Sequence, residues 1–128
     1  MNFEYPLNKL ERIEPSNRVH LLLSFNDGFT LLVEGSFQIK KEELVVADTE
    51  TYVESDFSKD LFSGVKTQIE GKRIDSISLN PDTGELVICL DTCIEIKCYS
   101  SEGDYEAWEL RQNGKALLSS ECGTIINY

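Results

Sequence analysis

A chain of 128 residues with 41% hydrophobic residues is the size of one ordinary domain, able to bury about two-thirds of its unfolded surface without a disulfide or a metal. Its 23 acidic against 12 basic residues give a formal charge of −11, which excludes nucleic acid and anionic membranes as expected partners. No apolar run reaches the ~20 residues of a membrane helix. The N-terminus, Met1-Asn2-Phe3-Glu4-Tyr5-Pro6, has neither the basic nor the apolar region of a secretory signal, so a single cytoplasmic domain over 1–128 is expected.

Leu10 to Pro15 is placed as a strand ahead of a hairpin at about Val19–Glu34. In that hairpin Leu21, Leu23 and Phe25 alternate, then Phe29, Leu31 and Val33. The loop between them, Asn26-Asp27-Gly28, ends in the glycine that a three-residue hairpin loop wants where φ is positive. This loop pairs Leu23 with Leu31 and Leu21 with Val33, so that six apolar side chains share one face. Lys40 to Ser55 is polar and acidic, with a short strand at Leu44-Val45-Val46. A helix is expected at about Ser58–Glu70: Asp56 or Ser58 caps it, Leu61, Phe62, Val65 and Ile69 recur at helical spacing, and Gly71 ends it.

Lys72 to Leu79 reads as a strand, and Asn80-Pro81-Asp82-Thr83-Gly84 as a turn into a second hairpin over Glu85–Cys98. Leu86, Ile88 and Leu90 alternate there, then Ile94, Ile96 and Cys98, around the loop Asp91-Thr92-Cys93, which has no glycine. The second hairpin repeats the plan of the first, an internal duplication. Glu106 to Leu110 is a further strand, Asn113-Gly114 a turn, and Ala116–Ser119 and Thr124–Tyr128 close the chain. The expected fold class is α+β: two antiparallel hairpin units forming a curved, mostly antiparallel sheet with one packed helix.

Little in the sequence points to catalysis. His20, the single histidine, falls on the solvent side of the alternation that turns Leu21 inward. No nucleophile elbow, phosphate loop or H-E-x-x-H run is present. Cys89, Cys93, Cys98 and Cys122 lack the spacing of zinc ligands, and alternation sends Cys98 to the core, Cys89 to the other face and Cys93 to the loop. Free thiols, no metal, no cofactor and no enzymatic activity are the expectation.

The acidic residues concentrate twice. One group is Glu42, Glu43, Asp48, Glu50, Glu54, Asp56 and Asp60; the other is Glu102, Asp104, Glu106 and Glu109, flanking Tyr105 and Trp108. Carboxylates interleaved with aromatics suit an interface that receives Arg and Lys. The expected partner-binding residues are Glu50, Glu54, Asp56, Asp60, Glu102, Asp104, Tyr105 and Glu109. Trp108 is read either as core or as interface. An inward Trp108 puts Tyr105 and Glu109 together outside.

The frame "L-x-L-x-F-x-D-G-x-x-L-x-V", then "G-K-R-I-x-S-I", then Tyr105-Glu106-Ala107-Trp108-Glu109-Leu110 before a glycine-bearing tail, resembles a family of small, largely uncharacterised bacterial β-rich domains with a YEAWEL-type motif. The resemblance runs from about Arg18 to Tyr128. This tail departs from the pattern, with Glu121-Cys122-Gly123-Thr124 where paired glycines and a proline are usual, and Tyr128 where tryptophan is common. Some small acidic bacterial proteins of this look serve as immunity partners of contact-dependent toxins. What the resemblance and the charge imply is an immunity-type protein, a monomer or weak dimer, that neutralises a basic toxin domain such as a nuclease. The alternative is a small-molecule or peptide-binding β-rich domain with no toxin partner.

Overall fold

The computed structural model describes residues 3–15, 21–48, 64, 66–91, 93–100 and 107–128. Eleven strands account for most of them: β1 (Lys9–Pro15), β2 (Leu21–Phe25), β3 (Phe29–Val33), β4 (Phe37–Lys41), β5 (Leu44–Asp48), β6 (Lys72–Leu79), β7 (Leu86–Leu90), β8 (Ile94–Cys98), β9 (Trp108–Gln112), β10 (Lys115–Glu121) and β11 (Thr124–Asn127). They form one sheet in the order β11-β10-β9-β3-β2-β1-β6-β7-β8-β4-β5.

The expected α+β class is therefore corrected: the protein is a mostly β structure built on a single large antiparallel sheet. The strands expected at Leu44–Val46, within 106–110 and within 124–128 are present as β5, β9 and β11, whereas β4 has no counterpart in the sequence reading and β10 runs beyond Ala116–Ser119 at both ends. Of the helix expected at 58–70, residues 58–63 and 65 lie outside the described residues; helical conformation is described at 64 and 66–69. This short piece is tied to the sheet, because Ile69 is buried and the Glu70 carboxylate accepts the Ile13 backbone N–H at 3.1 Å.

Both expected hairpins form in the expected register. Leu21 faces Val33 and Leu23 faces Leu31; Leu86 faces Cys98 and Ile88 faces Ile96. Alternation sends the apolar set inward, and none of these eight side chains is more than 1% exposed. Each large aliphatic side chain so buried contributes about 1.5–3 kcal/mol.

The duplication extends well beyond the hairpins. In each half a leading strand, a hairpin and a further hairpin follow in order: β1 to β5, then β6 to β10. The further hairpins are exchanged. β4 of the first half pairs with β8 of the second, and β9 of the second pairs with β3 of the first. The registers match position for position: Val33 faces Trp108 and Leu31 faces Leu110 in one half, while Cys98 faces Phe37 and Ile96 faces Ile39 in the other. Irregularities also recur, between Leu10 and Arg12 in β1 and between Ile74 and Ser76 in β6. The halves meet where β1 pairs with β6, Lys9 opposite Arg73.

The inward faces of both halves join one continuous core. Trp108, fully buried, donates its indole N–H to the Gly84 carbonyl at 2.8 Å and so pins β9 to the turn before β7. Gly84 has φ +79 and lies against the part-buried hydrogen bond between the Ser100 and Ser120 hydroxyls, 2.7 Å long.

Candidate functional site

The duplication brings two turns together at each end of the sheet. At the first, Asn113 of the β9–β10 turn donates its backbone N–H to Gly28 of the β2–β3 loop at 3.0 Å. At the second, Glu42 of the β4–β5 turn donates its own to Cys93 of the β7–β8 loop at 3.2 Å. The backbone plan is the same and the residues differ. Where the first β-turn has Asn113 and Gly114, the second has Glu42 at φ +50 and Glu43 at φ +72. A turn with both central residues left-handed favours Asn-Gly, and an ordinary side chain there costs roughly 1–2 kcal/mol. The missing loop glycine is accommodated likewise, with Cys93 at φ +62 where the first loop has Gly28 at φ +77.

Beside this second pair of turns lies an open depression of about 360 Å³, lined by Asp75, Cys89, Leu90, Asp91, Cys93, Ile94 and Glu95. Three of its seven lining residues are carboxylates and none is basic. Lys40 of β4 lies opposite Glu95, and the backbone is tied to β6 where Asp91 donates its N–H to the Arg73 carbonyl at 3.0 Å. Among the described residues, the ion pairs are Lys66–Glu70, Lys97–Glu85 and Arg111–Glu109, so none engages the carboxylates of the depression. No three carboxylate, thiol or imidazole groups among the described residues converge closely enough to hold a metal ion.

Of the residues expected to form the interface, Glu50, Glu54, Asp56, Asp60, Glu102, Asp104 and Tyr105 lie outside the described residues, as does His20. Glu109 is described. It is 9% exposed, and its carboxylate lies 2.8 Å from the Arg111 guanidinium, which also donates to it through Nε at 3.0 Å. Trp108, Glu109 and Leu110 are all buried, so β9 is covered on both faces; Trp108 belongs to the core. Ser119, opposite Glu109 on β10, is fully buried and hydrogen-bonds the Tyr128 hydroxyl at 3.1 Å. From the first acidic concentration, Glu42 and Glu43 are brought next to Cys93, beside Asp91 and Glu95. Asp75, Asp91 and Glu95 stand apart in the sequence, and nothing in their local spacing marks them as a group. The duplication was the available signal, because it places the two turns side by side.

The four cysteines are free, Cys98 in the core and Cys93 and Cys122 exposed. Burial pushes the Cys98 thiol up to about 12. Iodoacetamide at pH 8 is expected to label Cys93 and Cys122 first, Cys89 more slowly, and Cys98 only on unfolding. Peptide mass spectrometry over time checks this, and early labelling of Cys98 would contradict its placement.

No helix among the described residues is long and apolar enough to cross a membrane. Comparison with known proteins finds no family model, no curated protein and no solved structure that matches the chain.

Proposed function

We propose that this chain is a non-catalytic binding protein for a cationic protein partner, acting as an immunity-type inhibitor of a basic toxin domain. The observation that carries the reading is the depression lined by Asp75, Asp91 and Glu95 and by no basic side chain, on a chain of charge −11. Such a surface attracts Lys and Arg and steers a basic partner into encounter. To neutralise a toxin it has only to cover the active site, so no chemistry is asked of it. The resemblance over Arg18 to Tyr128 supports the same reading, by analogy alone.

The test is co-expression with a basic toxin domain encoded beside this gene. Growth is expected to be restored by the wild-type chain. Charge reversal at the rim, Glu42→Lys with Glu95→Lys, should slow association by on the order of tenfold at low salt, with most of that difference gone at high salt. Tyr105→Ala should instead speed dissociation, by tenfold for each ~1.4 kcal/mol of binding free energy that the ring supplies. Protection that survives reversal of these carboxylates together with Glu50, Glu54, Asp56 and Asp60 would end the reading. A specific small ligand in the purified protein, with no basic partner, would replace it with the small-molecule alternative.

A further inference from the structure

The two ends of the duplicated sheet differ in a way that bears on how a partner is held. The first end is closed by its own chain. The Asn26 side chain accepts the N–H groups of Asn8 at 2.9 Å and Lys9 at 3.3 Å, and donates to the Pro6 carbonyl at 2.9 Å. Gln112 donates to the Asp27 carbonyl at 3.1 Å. At the second end, the only hydrogen bonds described for the turns come from the backbone, Glu42 to Cys93 and Asp91 to Arg73. Leu44 and Val45 stand 69% and 42% exposed there, where the equivalent positions of the first end are Lys115 and Ala116. They begin β5, the last strand in the sheet order. The equivalent strand of the first end, β10, is covered by β11, whereas β5 has no outer neighbour among the described residues.

We infer that the second end is the docking surface for an extended basic segment of the partner, with an apolar side chain seated on Leu44 and Val45 and flanking Lys or Arg residues received by Glu42, Glu43, Asp91 and Glu95. This rests on the cationic-partner reading and adds the apolar anchor to it. Charge complementarity selects the occupant. A second copy of the chain would bring a further −11 and set glutamates against glutamates, whereas a basic segment meets the four carboxylates of Glu42, Glu43, Asp91 and Glu95, which outnumber Lys41 and Lys40, the cross-strand neighbours of Leu44 and Val45. An extended conformation fits an edge strand that no further strand covers among the described residues.

The experiment titrates the full 15N-labelled chain with two synthetic peptides of equal length and charge, one alternating lysine with valine, the other lysine with serine. The lysine–valine peptide is expected to bind about tenfold tighter, a gain of ~1.4 kcal/mol, with amide shifts concentrated at Leu44, Val45, Asp91 and Glu95. The informative variant copies the first end onto the second: Glu42→Asn, Glu43→Gly, Leu44→Lys and Val45→Ala. These residues already form the equivalent turn in this chain, so the variant should fold, and it should lose the tenfold preference. Equal binding of the two peptides would overturn the apolar anchor and leave the cationic reading standing. Failure of both to bind would remove both. A preference kept by the variant, or shifts centred elsewhere, would overturn the placement.

Discussion

Trp108→Ala is expected to lower the free energy of unfolding by about 3–5 kcal/mol, the usual range for deleting a large buried aromatic side chain. Trp108 has no exposed surface and ties the core face of β9 to the Gly84 carbonyl, so the substitution removes packing and leaves a buried acceptor unmet. Trp108→Phe separates the two effects. It keeps most of the packing, loses the 2.8 Å hydrogen bond, and should cost about 1–3 kcal/mol. Urea unfolding followed by circular dichroism measures both. A loss below about 1 kcal/mol for the alanine variant, with an unchanged denaturant slope, would show that Trp108 does not pin β9 to the turn before β7 as described.

Gly84→Ala should be nearly as damaging, at about 2–4 kcal/mol, from left-handed strain and overpacking together. Its φ of +79 disfavours any side chain, and an added Cβ would come within 2.3 Å of the Ser120 hydroxyl and 3.1 Å of the Ser100 hydroxyl. Both serines are held by their mutual hydrogen bond, and Ser120 is fully buried, so neither is free to give way. Ser120→Ala removes the nearest obstructing atom. The double variant should therefore lose less than the sum of the two single losses, a coupling that thermal or urea unfolding can resolve. Strict additivity would show that the backbone angle alone is responsible.

What the sequence conveyed followed the range of the interactions. The hairpins over Leu21–Val33 and Leu86–Cys98 were legible because six alternating apolar residues and a short loop fix a register locally. β4 was not: Phe37-Gln38-Ile39-Lys40-Lys41 has only two inward apolar residues and adjoins an acidic stretch. The exchange of hairpins was not legible either, since nothing in Trp108-Glu109-Leu110 says that its neighbour is β3 rather than β8. Only the full set of pairings decides that. Glu109 illustrates the limit for the site. Alternation placed it on the face opposite Trp108 and so outside, but that face is buried as well, and Glu109 answers to Arg111. The depression is a product of the same long-range pairing, because Asp75, Asp91 and Glu95 meet only once β6, β7 and β8 lie side by side.

The exchanged hairpins also set an order of events during synthesis. When the first half has left the ribosome, β1, β2 and β3 can assemble, but β3 has no outer neighbour until β9 is made. β4 and β5 likewise wait for β8. Neither half can complete its sheet alone, so the chain commits to its final form only after its C-terminal third is available. Pairings this distant along the chain carry a large loop-closure cost before they return any stability, which puts folding toward the slow, milliseconds-to-seconds end for single domains. Until then the unpaired margin of β3, with Phe29, Leu31 and Val33 beside it, is the part of the nascent chain most exposed to pairing with a neighbouring copy.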